Sequence, residues 1–235
     1  MLHSDAIVLA QLPPMSVEGR FAALFFALDE VLGAEGTLVV PTFTYSATKG
    51  EAFDPVRTPS AVGPLTEYFR RLPGVLRSRD PIFSVAARGR RAAEFAAAAV
   101  EDCFGPDSAF GLLDRRDGSL ACLGCGLNRI TFTHYVEQSV GVDYRYFKSF
   151  PAPIIETDGR ETHVVSRYFV RDLERQTSID LSALRTRLIE RRRLAVRPVG
   201  RIALSVVSCR AFREEAQELI RRQPNGLVVE GNIHG

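Results

Sequence analysis

LACLGCGLNRITFTHYVEQ, residues Leu120–Gln138, joins a short apolar run to a glycine-rich turn and a polar segment. The run Leu120–Leu123 has the length of a buried β-strand. The turn Gly124-Cys125-Gly126 lets the backbone bend sharply or approach a ligand closely. We expect the rest of the chain to be organised around this strand and the segment that follows it.

The polar segment contains Thr131, His134 and Glu137. If the segment is helical, His134 and Glu137 are three residues apart and share a face, with Thr131 one turn earlier. A histidine held by a carboxylate, next to backbone N–H groups that can bind an oxyanion, is typical of general base catalysis. A surface pair on an amphipathic helix has the same spacing, so spacing alone leaves both interpretations open.

Composition narrows the class of protein. The chain has 235 residues, 46% of them hydrophobic and 25% charged, with a net charge of +2 and four cysteines. These values are ordinary for a globular protein and do not suggest a disulfide scaffold. There is no run of 18 apolar residues and no basic segment typical of a signal peptide, so we predict a cytoplasmic protein.

The chain order indicates an α/β layered fold. We predict a strand at Ala6–Leu12, a helix at Val17–Leu32 that Ser16 caps, and a strand at Thr37–Val40, together the length of a βαβ unit. Further helices are predicted at Leu65–Arg71, Arg91–Val100, Leu181–Arg193 and Ala211–Arg222. Further strands are predicted in Gly74–Gly89, at Ile154-Ile155, His163–Val170, Ile202–Val207 and Leu227–Val229. We expect one domain over residues 1–235, with a first strand clipped at Met1 as an open alternative.

Four segments in this order resemble the aminoglycoside 3-N-acetyltransferase family, also called the antibiotic N-acetyltransferases. They are GTLVVPTFTYS at Gly36–Ser46, the long block Phe53–Gly89 with Arg-Ser-x-x-Pro at Arg77–Pro81, FGPDS at Phe104–Ser108, and Thr131-x-x-His134-x-x-Glu137. The resemblance implies a layered α/β/α sheet with helices on both faces, distinct from the commoner GNAT acetyltransferase fold. It also implies transfer of an acetyl group from acetyl-CoA, as co-substrate, to an amine of an aminoglycoside or related amino sugar.

The sequence departs from the family pattern in two places. The family usually has a further helix and the start of a strand before the element at His3–Asp5, where this chain begins. The central element often reads Arg-Ser-x-His-Pro, and here Asp80 replaces that histidine. The first departure bears on coenzyme binding near Ser4, and the second bears on substrate choice.

An amine that attacks a thioester must be neutral and must lose a proton as the bond forms, which suits histidine. We therefore predict that His134 is the general base. Glu137 either orients the imidazole or contacts the substrate ammonium. Backbone N–H groups at Gly124–Gly126 or the Thr131 hydroxyl would stabilise the acetyl oxygen. No metal is required.

Binding residues are predicted for both partners. For the coenzyme, hydroxyl and guanidinium groups are offered by Ser4, Arg77 and Ser78. For the amine, aromatic and carboxylate groups that favour a cation are offered by Tyr45, Asp54 and Asp143. An antibiotic substrate would favour a strongly acidic pocket, which the sequence does not locate.

Two other patterns suggest different chemistry. Cys122-x-x-Cys125 has redox-motif spacing, but a zinc site needs further ligands, so buried thiols are the favoured interpretation and an acyl-enzyme on Cys125 the lesser one. The arginine-rich segment Arg185–Arg201 is typical of nucleic-acid binding, yet it contains Glu190 and no aromatic residues for stacking. We favour a solvated helix end there, and expect a small-molecule partner, with neither nucleic acid nor membrane.

Two alternative functions stay open. One is an acyltransferase of cell-surface sugar or natural-product biosynthesis that uses the same site on another acceptor. The other is a non-catalytic binding descendant of the family, which acetyl-CoA turnover would exclude.

Overall fold

A computed structural model describes residues 1–231. Within them lie eleven strands and seven α-helices. The strands are β1 (Leu2–Ser4), β2 (Thr37–Pro41), β3 (Leu76–Arg77), β4 (Val85–Gly89), β5 (Ser119–Leu123), β6 (Arg145–Ile155), β7 (Glu161–Arg171), β8 (Thr177–Ile179), β9 (Ala195–Val199), β10 (Ile202–Ser208) and β11 (Val228–Glu230). The helices are α1 (Val17–Leu32), α2 (Pro64–Arg70), α3 (Ala92–Ala96), α4 (Ala109–Arg115), α5 (Phe132–Val140), α6 (Ser182–Glu190) and α7 (Cys209–Arg222).

The apolar run Leu120–Leu123 lies in β5, in the middle of a four-stranded sheet of order β1-β5-β10-β9. β1 runs parallel to β5, and β10 is antiparallel to both of its neighbours. Leu120 and Cys122 of β5 are fully buried. Because both faces of this strand are covered, a continuous apolar run is the expected sequence, and the predicted strand is confirmed.

The N-terminal region corrects one prediction. The strand predicted at Ala6–Leu12 is wrong, because Ala6–Gln11 form a 3₁₀ helix and the strand lies earlier, at β1. The side chain of Asp5 starts this helix by accepting the backbone N–H of Ile7 at 2.9 Å. β1 and β2 lie in different sheets, so the predicted βαβ unit is not formed.

The helix α1 has the predicted bounds. The Ser16 hydroxyl accepts the backbone N–H of Gly19 at 3.1 Å, as an N-cap does, and Gly33 ends the helix with a φ of +62°. Its buried residues Leu24 and Phe25 pack in a second core with Phe69 of α2. The segment Gly74–Gly89 also behaves as predicted, with β3 and β4 pairing on either side of a turn.

The strands β6 and β7 form a long antiparallel hairpin, whose base lies beside α5. Its register runs from Arg145 opposite Arg171 to Ile155 opposite Glu161. A turn joins the two strands, and Gly159 in it has a φ of +81°. The sequence predicted most of β7, at His163–Val170, but only the end of β6, at Ile154-Ile155, because the earlier part of β6 is largely exposed and lacks a clear apolar alternation.

The C-terminal part packs α7 against α5 and α6. The ring of Phe212 on α7 meets Phe132 at the start of α5 edge-on, with centroids 5.9 Å apart. This contact fixes the helix that carries His134. None of the helices in residues 1–231 combines the length and apolar character needed to cross a membrane.

Candidate active site

The geometry of the site begins where β5 ends. Gly124 turns the chain with a φ of +71°, a short 3₁₀ turn follows at Leu127–Arg129, and Thr131 stands at the start of α5. Gly141 ends the helix in a left-handed conformation. The predicted helix is therefore present, and it places His134 and Glu137 on one face.

Glu137 lies at the centre of a buried cluster of polar and charged side chains. We call it the Glu137 cluster, and it consists of Glu137, His134, Tyr144 and Arg145. His134 Nδ1 lies 2.7 Å from Glu137 Oε2, and the Tyr144 hydroxyl donates to Oε1 at 3.0 Å. Arg145 Nε lies 2.8 Å from Oε2. The Glu137 side chain is 0% exposed and that of Arg145 is 4% exposed. Both carboxylate oxygens are thus engaged inside the protein.

The electrostatics favour an ionised glutamate beside a neutral histidine. Burial raises the pKa of Glu137, but the hydrogen bond with His134 and the charges nearby outweigh it and leave the pKa below its ordinary value. Burial lowers the pKa of His134, the Arg145 charge lowers it further, and Glu137 only partly compensates. Burial and Glu137 both raise the pKa of Tyr144, so its hydroxyl stays protonated as a donor.

The hydrogen bond with Glu137 decides which ring nitrogen of His134 is free. Because an ionised carboxylate only accepts, Nδ1 carries the hydrogen and Nε2 carries the lone pair. No residue in 1–231 donates a hydrogen bond to Nε2, and the side chain is 19% exposed. The Phe104 ring packs against the imidazole at 5.5 Å between centroids and limits its rotation. His134 can therefore accept a proton from a bound molecule.

Two cavities meet at His134. The larger has a volume of about 580 Å³ and is lined by the N-terminal strand, the loop after β2 and the start of α5, with Ser4, Tyr45 and Thr131 among its polar residues. The smaller has a volume of about 300 Å³ and lies against the base of the β6–β7 hairpin. Since His134 lines both, it stands where two reactants could meet.

His3 is a site residue that the sequence did not reveal. It lines the larger cavity, is buried, and accepts the backbone N–H of Thr131 through Nε2 at 3.3 Å. Burial and the nearby N-terminal amine lower its pKa to about 3, so the ring stays neutral. It ties the N-terminal strand β1 to Thr131, the residue that precedes α5. Among the other histidines, His163 is exposed on the hairpin, and His234 lies outside the described residues.

The structure does not bring Arg77 and Ser78 to the cavities beside His134. The Arg77 guanidinium donates to the carbonyl oxygens of Thr42, Pro55 and Thr58 and lies over the Phe53 ring. The Ser78 hydroxyl is buried and accepts the backbone N–H of Val85. Arg77 thus holds the long loop after β2, and Ser78 holds the connection between β3 and β4. Their role in coenzyme binding stays a prediction.

The two predicted carboxylates for the amine also lie elsewhere. Asp54 accepts the backbone N–H groups of Val56 and Arg57 and so closes a loop turn. Asp143 is exposed and pairs with Arg175 at 2.9 Å. Asp80 lines neither cavity, because it is buried and accepts the N–H groups of Ile82 and Phe83. Burial raises its pKa to about 6.

The glycine-rich turn offers fewer free donors than expected. The Gly124 N–H donates to the Ala203 carbonyl of β10 at 3.0 Å, so it is not available to an oxyanion. The Thr131 hydroxyl lines the larger cavity beside His134. Cys122 is buried and Cys125 half-buried, both as free thiols. No group of three or more metal-ligating side chains occurs within residues 1–231.

Comparisons with known proteins agree on one family. The family profile described as Aminoglycoside 3-N-acetyltransferase matches residues 1–221. Aminoglycoside N(3)-acetyltransferase IX of Micromonospora chalcea is 31% identical over 190 residues, which cover 72% of this chain. They cover 66% of that protein, just under two thirds of its length.

Solved structures show the same architecture. The crystal structure of the aminoglycoside acetyltransferase AAC(3)-IVa apoenzyme superposes with a TM-score of 0.76 at 25% identity, over 96% of this chain and 82% of that one. The structure of AAC-IIIb in a binary complex with CoASH superposes with a TM-score of 0.76 at 21% identity, over 94% and 91% of the two chains. The predicted α/β fold class is confirmed.

Proposed function

Because the chain belongs to the aminoglycoside 3-N-acetyltransferase family, we propose that it transfers an acetyl group from acetyl-CoA to an amine of an aminoglycoside or related amino sugar. One observation carries the proposal beyond family membership. His134, fixed through Nδ1 by a fully buried carboxylate, presents Nε2 at the meeting point of two cavities. A general base between two substrates needs this arrangement.

His134 Nε2 takes the proton from the amine as its nitrogen attacks the acetyl carbonyl carbon. As the carbon–sulfur bond of the tetrahedral intermediate breaks, the imidazolium gives this proton to the departing thiolate of coenzyme A, which leaves as the free thiol, and the imidazole returns to its neutral form. A lowered pKa keeps the base unprotonated near neutral pH. General base catalysis of this kind contributes about 10²–10⁴-fold to a rate.

Glu137 serves to orient His134 and to stabilise its charged form. The support is that its side chain is fully buried and both of its oxygens already have partners, which leaves none for a substrate ammonium. Tyr144 and Arg145 hold the carboxylate in turn. The sequence pattern had left this role open between orientation and substrate contact.

The Thr131 hydroxyl is our candidate donor to the negative charge that develops on the acetyl oxygen. It lines the larger cavity with His134, and His3 fixes its backbone. A single donor of this kind typically contributes about 3 kcal/mol to the transition state. Ser4, which the sequence predicts for the coenzyme, lines the same cavity, so we assign acetyl-CoA to this side of the imidazole. Tyr45, which the sequence predicts for the amine, also lines this cavity and does not support that assignment.

The test is thiol release from acetyl-CoA with a panel of amines that includes deoxystreptamine antibiotics and amino-sugar nucleotides. We expect turnover in the wild type and a fall of about 10²–10⁴-fold in His134→Ala. His163→Ala is the matched control, because that side chain is 72% exposed on the hairpin. Full activity in His134→Ala would show that His134 is not the general base. Absence of turnover with every amine would contradict acetyl transfer and favour the non-catalytic binding protein.

A further inference from the structure

Two arginines face each other at the base of the β6–β7 hairpin. Arg145 and Arg171 are direct cross-strand partners. Like charges in this position destabilise a sheet unless opposite charge is nearby. Arg145 has that charge in Glu137, at 2.8 Å. Arg171 donates to the Thr177 carbonyl at 2.7 Å, and no carboxylate within residues 1–231 forms an ion pair with it.

Arg145 and Arg171 both line the smaller cavity. Its other polar residues are Tyr168, Thr177 and Ser178, and His134 stands at its edge. No aspartate or glutamate of the described chain lines it. A volume of about 300 Å³ is at the lower limit of ordinary small-molecule sites, so the cavity suits one sugar-sized ring.

The charge of this lining conflicts with a polycationic acceptor. An antibiotic with several ammonium groups would meet two guanidinium groups and no carboxylate on its surface. A guanidinium fork, by contrast, matches the geometry of a carboxylate or phosphate and forms strong charge-assisted hydrogen bonds with it. Hydroxyl donors at Tyr168 and Ser178 suit the same group.

We propose that the smaller cavity is the acceptor site, and that it selects a small amine substrate that also carries a carboxylate or phosphate group, bound by Arg171. This inference rests on the proposed acetyl transfer and names its substrate class. The amine then faces His134 Nε2, while the anionic group lies against Arg171 and relieves the repulsion between the two paired arginines.

The experiment compares three amines as acceptors: glucosamine 6-phosphate, glucosamine and gentamicin. Each is measured with the wild type, Arg171→Gln, Arg171→Lys and the control Arg167→Gln, which changes an exposed arginine of the same strand that pairs with Asp102. We expect the wild type to prefer the phosphate-bearing amine over glucosamine by about tenfold or more in kcat/KM, the size of one charge-assisted hydrogen bond. Arg171→Gln should lose this preference through KM for the amine, Arg171→Lys should keep part of it, and Arg167→Gln should keep all of it.

Three results would overturn the inference. One is a preference for gentamicin that Arg171→Gln leaves intact, since thiol release would then support acetyl transfer without an anionic acceptor. Another is a rise in KM for acetyl-CoA but not for the amine in Arg171→Gln, because Arg171 would then hold the coenzyme phosphates. The third result concerns the case in which no amine is acetylated, where calorimetric titration measures the binding of glucosamine 6-phosphate. Absence of binding to the wild type would overturn the anion site. Binding that Arg171→Gln abolishes would support the anion site and reject only the acetyl transfer.

Discussion

Two glutamates within residues 1–231 are buried among arginines, and only one of them, Glu137, has the surroundings expected of an active site. Glu137 on α5 is held by His134, Tyr144 and Arg145. Glu215 on α7 is 1% exposed and pairs with Arg187 of α6 at 3.1 Å. It also pairs with two arginines just after α6, Arg191 at 3.2 Å and Arg193 at 3.5 Å. We call this second set the Glu215 cluster.

The two clusters differ in access and in the kind of partner. The Glu215 cluster contains no histidine, and neither of the cavities beside His134 reaches it. Its arginines cannot exchange protons near neutral pH. In the Glu137 cluster one partner is the His134 imidazole, which is 19% exposed and lines both cavities. A buried carboxylate therefore supports structure in both places, and supports chemistry where its partner can change protonation in contact with a substrate.

The largest expected effect is on kcat/KM for acetyl transfer, and it distinguishes the loss of His134 in one cluster from the loss of an arginine in the other. His134→Gln should lower kcat/KM for acetyl transfer by about 10³-fold, within the range of general base catalysis, because glutamine cannot accept the proton. Arg191→Gln in the Glu215 cluster should leave kcat/KM near the wild-type value. Equal losses in both variants would erase the distinction between the clusters.

The next effect is on stability. Breaking a buried ion pair from one side leaves an uncompensated charge, so Glu137→Gln should lower the free energy of unfolding by about 3 kcal/mol. Glu215→Gln should cost less, about 1–2 kcal/mol, because Arg191 and Arg193 are partly exposed and can be hydrated. Urea denaturation measures both values. A larger decrease in the free energy of unfolding for Glu215→Gln than for Glu137→Gln would show that solvent access to the arginines does not determine the loss of stability.

A third effect is on pH dependence. Arg145→Met removes a charge that lowers the pKa of His134, so that pKa should rise. The base is active when neutral, and activity is lost as pH falls through its pKa. The acidic limb of the kcat/KM profile should therefore move to higher pH, by about one unit, which corresponds to about 1.4 kcal/mol. An unmoved limb would mean that Arg145 does not influence the base.

The smallest effect concerns His3, which anchors the start of α5. Its folded-state pKa of about 3 lies below the unfolded value of 6.5, so below pH 6.5 the unfolded state binds the additional proton and stability falls as pH falls. Between pH 7 and pH 6 the loss amounts to about 0.7 kcal/mol. His3→Gln keeps an acceptor for Thr131 and should lose this component of the pH dependence. Asp80 has the opposite sign, because its pKa is raised, and it remains in both proteins. Identical pH dependence in both proteins would contradict the assignment.

The parts of the site that follow local rules could be predicted from the sequence. The strand at Leu120–Leu123 and the pair His134 and Glu137 depend on short-range periodicity, which a sequence displays directly. α1 was also predictable, because Ser16 and Gly33 mark its ends.

The rest depends on contacts between distant segments. His3 meets Thr131 across 128 residues, and Arg145 reaches Glu137 only because the hairpin base packs beside α5. Arg77 has the right chemistry for a coenzyme, and the sequence could not show that its guanidinium donates to backbone carbonyls of the loop after β2. Sequence shows which groups a chain has, whereas packing decides which of them stay free.

The arginine-rich segment illustrates the same limit. Arg185–Arg201 was predicted to be a solvated helix end, and three of its arginines instead bind glutamates of α7, including buried Glu215. The sequence contains these glutamates, at Glu214, Glu215 and Glu218, but no short-range pattern connects them to the arginines. The sequence could not show that α7 places the buried carboxylate of Glu215 against these arginines.

The most direct test of this comparison is the rate of acetyl transfer by Glu137→Gln and Glu215→Gln, measured side by side at a temperature where circular dichroism shows both to be folded. We expect kcat to fall by about 100-fold or more in Glu137→Gln, because the imidazole loses the carboxylate that fixes its tautomer and stabilises its charged form. Glu215→Gln should stay within about twofold of the wild type, since a folded enzyme keeps its transition-state contacts. Wild-type kcat in Glu137→Gln, or an equal fall in both variants, would contradict the claim that the Glu137 cluster is the catalytic one.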